Sequence, residues 1–245
     1  MRAKASSIPT NDIRSFPFDQ TEQYHRSANR LGRLAPLGVM TSCHRDQEIC
    51  GQGCPATCWY CVVSGVARGY VARADGHRQI VDLLLPGDFC GFTAGDEYDC
   101  TVDAIVEGTV VAGYPRRRVE MLADQDPQLA REIREVTLGA MSRLQAQLLI
   151  VGRITAVEKV GSFLLEMAAR MSEGPSGLVL LPISRYDIAD YLALSVETVS
   201  RSLTDLKHRG VIVLSGTRCV KIVDQDALRS ERDRSLACAH HRWAH

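Results

Sequence analysis

Cys50, Cys54, Cys58 and Cys61 stand in a C-x3-C-x3-C-x2-C run, four thiols within twelve residues. Thiolates are soft donors that suit zinc or an iron–sulfur cluster. The run, with Cys43 upstream and Cys90 and Cys100 downstream, is therefore a candidate metal or cluster site. Two other readings stay open: a redox thiol switch, and buried thiols packing as small hydrophobes. Geometry argues partly against one shared site, because Val62-Val63 and Gly65 place Cys61 in a strand, with Cys58 on the opposite face. Cys54 and Cys58 could still converge across a turn at Pro55, joined by Cys43 or Cys100. Cys61 is followed by Val62, so no C-x-x-C-H forms and covalent haem attachment is not indicated. Cys238, His240, His241 and His245 read as a solvated tail rather than a metal site.

A second constellation lies in the last third of the chain. Glu197, Ser200 and Arg201 fall near the start of a helical pattern running from Val196 to about Arg209. The major groove admits one helix; there Arg donates to guanine O6 and N7, and Glu accepts from cytosine N4. Lys207, His208 and Arg209 at the far end suit phosphates and the salt-dependent part of affinity. Glu197 and Arg201 are also an i, i+4 pair of the kind that decorates helix surfaces. The local grammar favours the DNA reading. Ser184 is an N-cap with Asp187 three residues on, Ile188 and Leu192 form an apolar stripe, and Ala189 is small where a partner helix approaches. Ala193-Leu194-Ser195 makes a turn, Ser195 caps the second helix, Val199, Leu203 and Leu206 face inward, and Gly210 ends it. Ser184, Arg185 and Ser195, at the two helix starts, join the candidate DNA contacts.

These residues need a scaffold. At 245 residues the chain accommodates two domains, and 45% hydrophobic with 24% charged residues is an ordinary globular balance. Net charge is zero, so any DNA-binding field must be local. No apolar run approaches the roughly eighteen residues of a membrane span, and Met1 to Asp19 lacks the apolar core of a secretory signal. Nine cysteines without an export signal point to a reducing, cytoplasmic compartment.

Residues 1–30 are polar and aperiodic, an expected flexible arm. Residues 31–125 carry short apolar runs (Cys61-Val62-Val63, Ile80 to Leu85, Thr109-Val110-Val111) punctuated by glycines, with an Asp-Gly hairpin turn at Ala74–His77. That texture predicts an antiparallel barrel or roll. The period then becomes 3.6. Ile133, Val136, Ala140, Leu144, Leu148 and Val151 line one side of a long helix over 126–153, a seam expected to pack against a second copy. Gly139 and Gly152 are mild costs within it. A helix over Ala156–Met171, a break at Ser172–Gly177, a strand at Leu178–Pro182, the two short helices and a hairpin (Val211–Leu214, Cys219–Val223) complete a domain over 154–230. Residues 231–245 read as a loose tail.

Asp187-Ile188-Ala189-Asp190-Tyr191-Leu192 followed by Leu194-Ser195-Val196-Glu197-Thr198-Val199-Ser200-Arg201 resembles the helix-turn-helix signature of the Crp/Fnr superfamily. Ile80, Leu85-Pro86-Gly87-Asp88-Phe89 and Gly91 resemble its β-roll. The resemblance runs from about Leu34 to Leu228 and is nearest to the Fnr/FixK-like branch. It implies an α+β fold: an N-terminal antiparallel β-roll (a cyclic-nucleotide-binding-like jelly roll), a long dimerisation helix and a C-terminal winged helix-turn-helix. It also implies a homodimeric transcription regulator that engages RNA polymerase and reads a TTGAT-N4-ATCAA-like palindrome in double-stranded DNA. Glu197, Ser200 and Arg201 would then carry base readout, with an apolar contact from Val196. Oxygen, redox or nitrogen-oxide state is the implied signal. Cyclic AMP is not the expected effector, because Phe89–Thr101, where relatives hold the cyclic phosphate, contains no Arg and is crowded with acids. Fnr-type clusters use closely spaced cysteines in the N-terminal arm, and here no Cys precedes Cys43. A competing class is a small-ligand module whose C-terminal domain contacts protein. An enzyme is not expected, since no nucleophile–base set or phosphate-cradling loop is present.

Overall fold

The computed structural model describes residues 32–72, 76, 78–171, 178–216 and 218–229. The expected N-terminal arm, the Ser172–Gly177 break and the C-terminal tail with Cys238, His240, His241 and His245 lie outside them. Among the described residues, eight strands build the first half: β1 (Val39–Cys43), β2 (Glu48–Cys50), β3 (Cys58–Ser64), β4 (Ala67–Ala72), β5 (Arg78–Leu84), β6 (Phe89–Cys90), β7 (Thr101–Ala104) and β8 (Thr109–Pro115). They form two antiparallel sheets, ordered β1-β8-β3-β6 and β2-β7-β4-β5. Alternation along the strands turns Cys43, Val62, Ala67, Leu84, Val102 and Val111 into a shared apolar interior. Gly65 is required at its turn: φ is +82°, and a Cβ there would strike Thr109. Pairing of Ala72 with Arg78 confirms the β4–β5 hairpin. Of its expected turn only Gly76 is described, with the positive φ of +81° that an Asp-Gly hairpin calls for.

The sequence reading ran the roll to residue 125 and missed a helix, α1 (Arg116–Gln125), whose one buried residue is Val119. Asp126 then accepts hydrogen bonds from the backbone N–H of Gln128 and Leu129, and Pro127 opens α2 (Pro127–Val151), 25 residues long. Gly139 lies inside α2, whereas Gly152 is its C-cap. After α3 (Ala156–Met171) come β9 (Leu178–Leu180), α4 (Arg185–Leu192), α5 (Val196–His208), β10 (Ile212–Ser215) and β11 (Cys219–Ile222). The last three strands pair antiparallel in the order β10-β11-β9, the wing beside the two short helices. One core joins the halves: Ile80, Leu83 and Leu85 of the roll pack in the same cluster as Phe163, Tyr191, Leu203 and Leu206.

Candidate DNA-reading interface and the thiols of the roll

Two caps and one strained turn set α4 and α5 at an angle. Ser184 and Asp187 form a reciprocal capping box at the start of α4. Ala193 closes α4 in the left-handed region, φ 51°, and Ser195 accepts from Thr198 N–H to open α5. Val199, Leu203 and Leu206 are buried, so the opposite face is presented: Glu197, Arg201, Thr204 and Asp205 are exposed, with Ser200 half-exposed beside them. Glu197 is held below the usual carboxylate range by hydrogen bonds, its own backbone N–H first and then Ser195, with Arg201 adding a smaller attraction. The base-edge candidates thus stand together on one open face. Val196 is only half-buried and packs against the core, its remaining surface at the helix start.

The other DNA candidates divide. Lys207, His208 and Arg209 are exposed at the C-terminal end of α5, Arg209 pairing with Asp205 at 3.5 Å. Ser195 is exposed at the N-cap, while the Ser184 hydroxyl is engaged by Asp187 at 2.6 Å. Arg185 is half-buried, and desolvation lowers its pKa.

The residues of the expected seam on α2 differ in exposure. Ile133 and Val136 pack against the chain's own roll beside Phe89, Tyr114 and Val119, and Ala140 and Val151 are half-buried. Leu144 and Leu148 are exposed as expected, and the apolar surface continues through Leu138, Met141 and Leu149. The fully exposed apolar residues are thus offset from the half-buried ones, because one face of so long a helix covers its own domain. Periodicity alone cannot separate the two faces.

The cysteine run does not assemble a ligand set. Among the described residues, no three His, Cys, Asp or Glu side chains are grouped to hold a metal. Cys43 and Cys50 enter the interior between the sheets, with Cys100 packed against it, whereas Cys61 enters a separate cluster with Phe89 and Tyr114. Cys54 is exposed, turned outward in a loop pinned by backbone bonds between Gly53 and Tyr98 and between Tyr98 and Cys54. Cys58 is half-buried. The i, i+3 spacing of Cys58 and Cys61 on one strand sends them to opposite faces. Burial pushes the Cys50 and Cys61 thiols up to about 12 and Cys100 to about 11. These residues do not fit an iron–sulfur or zinc centre.

A cavity of about 400 Å³ lies between the roll and α2, walled by apolar groups with Cys90, Cys100, Asp82 and Asp99. Among the described residues its lining contains no Lys or Arg. Asp82 is tied outward to Arg143 of α2, which also meets Asp88 at 3.2 Å. Asp88 accepts in turn from Arg170 of α3, and Glu166 joins Arg170 to the Tyr191 hydroxyl of α4. A chain of ion pairs therefore runs from the cavity wall to the helix-turn-helix. Sequence reading missed it; the one available signal was Asp82, a lone charge inside an apolar strand.

Residues 158–231 match the Crp-like helix-turn-helix domain, and residues 40–126 match the cyclic nucleotide-binding domain. The nitrogen fixation regulation protein FixK of Azorhizobium caulinodans is 40% identical over 206 residues, 83% of each chain. This chain belongs to the Crp/Fnr family, in its FixK-like branch. The transcriptional activator protein FnrL of Cereibacter sphaeroides is 36% identical over 177 residues, 69% of this chain and 71% of that one. The solved structure of FixK2 from Bradyrhizobium japonicum superposes with a TM-score of 0.74 at 38% identity, covering 79% of this chain and 96% of that one. The FixK-like chain is accordingly a DNA-binding transcription regulator, and its relatives are regulators rather than enzymes. Among the described residues no helix is long and apolar enough to cross a membrane.

Proposed function

We propose that this regulator acts as a homodimer in the cytoplasm, reads a TTGAT-N4-ATCAA-like inverted repeat with α5 from each copy, and activates transcription through RNA polymerase. The observation that carries this reading is the open face of α5, where Glu197, Ser200 and Arg201 stand together while the opposite face is buried. The apolar stripe of Leu138, Met141, Leu144, Leu148 and Leu149 is the surface for the second copy. Arg201 reads guanine, Glu197 accepts from cytosine, and Lys207 and Arg209 meet phosphates.

The β-roll carries the signal, and the signal is not a cyclic nucleotide: among the described residues the cavity offers a cyclic phosphate two carboxylates and no cation. Within the cysteine run, the exposed Cys54 and half-buried Cys58 are the thiols open to an oxidative signal, since burial keeps Cys50 and Cys61 protonated. The test is fluorescence anisotropy with a labelled palindrome and a scrambled duplex across a salt series. Selective binding with a negative slope of log affinity against log salt supports the reading. Equal affinity for both duplexes, or no salt slope, contradicts it.

A further inference from the structure

The first helix of the reader is gripped by the roll. Arg68 of β4 is almost fully buried, its side chain 6% exposed, yet it carries a full charge. It meets Asp103 of β7 at 2.8 Å and reaches across to Asp187 of α4, whose side chain is 3% exposed. Arg78 of β5 donates to Asp187 at 2.9 Å and to Asp190 at 2.7 Å. Asp187 is also the carboxylate of the α4 capping box, so the same group that starts the helix ties it to the roll. The Asp187 carboxyl is held below its usual range despite burial, by Ser184 and by both arginines.

The covalent connection from α2 into this half is short, residues 152–155 between α2 and α3. Without the arginines, α4 would keep that connection, apolar packing, which is non-directional, and single hydrogen bonds from Gln79 to the Asp190 carbonyl, from Gln147 to the Tyr191 carbonyl and from the Tyr191 hydroxyl to Glu166. Charge-assisted hydrogen bonds are directional, and Arg78 bridging Asp187 and Asp190 while Arg68 meets Asp187 from a second strand fixes an angle as well as a distance. The grip falls on α4, and the base-reading face of α5 stays open, so the clamped pose is one that can engage DNA.

We propose that Arg68 and Arg78 are positioning residues for DNA recognition: through Asp187 and Asp190 they set the angle of α4, and with it α5, relative to the dimer axis. The inference rests on the dimer–palindrome reading above. Two reading helices engage both arms only when each is held at the right spacing, and a loosened reader lowers the effective concentration of the second arm.

Arg68 is too buried for a clean variant, whereas the Arg78 and Asp190 side chains are each 32% exposed. The experiment compares wild type, Arg78→Asp, Asp190→Arg and the charge-swapped double variant on a labelled palindrome and on a single-arm duplex. Each single variant is expected to lower the ratio of palindrome to single-arm affinity roughly tenfold, and the swap to bring it back within about threefold of wild type. A general folding defect would weaken both duplexes together and leave the ratio unmoved. Ratios unchanged in the single variants, or a ratio the swap does not restore, overturn the clamp. A wild-type protein with no preference for the palindrome overturns the dimer reading instead, and the clamp with it.

Discussion

Arg201→Ala separates recognition from folding. The Arg201 side chain projects from α5 into solvent, and its attraction for Glu197 is the smallest of the influences on that carboxylate. Truncating an exposed residue of this kind changes stability by no more than about 0.5 kcal/mol. A bidentate contact to guanine discriminates by about 1–3 kcal/mol per half-site. A two-fold reader makes that contact twice, at sites far enough apart for additivity, so the loss is about 2–6 kcal/mol. That corresponds to roughly thirtyfold to twenty-thousandfold weaker binding. The assay is anisotropy against duplexes carrying one base-pair change at each position of an arm, with thermal unfolding measured in parallel. The variant should lose its penalty at one position of each arm and keep the others, with an unchanged melting temperature. A variant that weakens uniformly on every duplex, the scrambled one included, would show Arg201 to be a phosphate contact and refute the reasoning.

Leu148→Glu alters a residue 72% exposed on α2. Burying that charge at an apolar seam is costly, so light scattering should fall from twice to once the chain mass of 27.0 kDa without loss of helical circular dichroism; a mass unaffected by the change would place the interface elsewhere. Leu206→Ala empties a fully buried position of α5 and should cost about 2–5 kcal/mol in denaturant unfolding; a loss below about 1 kcal/mol would contradict the packing described. The Cys50 and Cys61 thiols rise from 9.0 in the unfolded chain to about 12 when folded. Above pH 9 the unfolded chain sheds these protons and the folded one keeps them, so stability is complete below pH 9 and declines as pH climbs towards 12. The decline is on the order of 1 kcal/mol per pH unit per thiol, and Cys61→Ala should make it shallower. An equal slope in the variant would contradict the assignment.

What was legible in the chain had a local physical signature. The capping box at Ser184, the turn at Ala193–Ser195 and the inward Val199, Leu203 and Leu206 are consequences of short-range hydrogen bonding and period 3.6, and all are found. The roll was legible from its glycines and alternation. Other features depended on distant partners. Helix α1 has a single buried residue and so no stripe to recognise. On α2, Ile133 and Val136 are half-buried against the chain's own first domain, a contact that spacing cannot show. The cysteine run looked like a ligand set in one dimension, but Cys50 on β2 and Cys61 on β3 enter different cores and Cys54 is exposed. The Arg68–Asp187 pair joins residues 119 apart, and nothing near either residue announces the other.

The most direct test of a two-fold reader is the spacing between the arms. Two α5 helices on a rigid dimer address half-sites about one DNA turn, roughly 34 Å, apart. Inserting half a turn, about five base pairs, at the centre of the palindrome carries one arm to the opposite side of the duplex. Affinity for the lengthened duplex should fall to that of a single arm, although every base of both arms is retained. Undiminished binding to it would mean that the chain does not read DNA as a fixed pair.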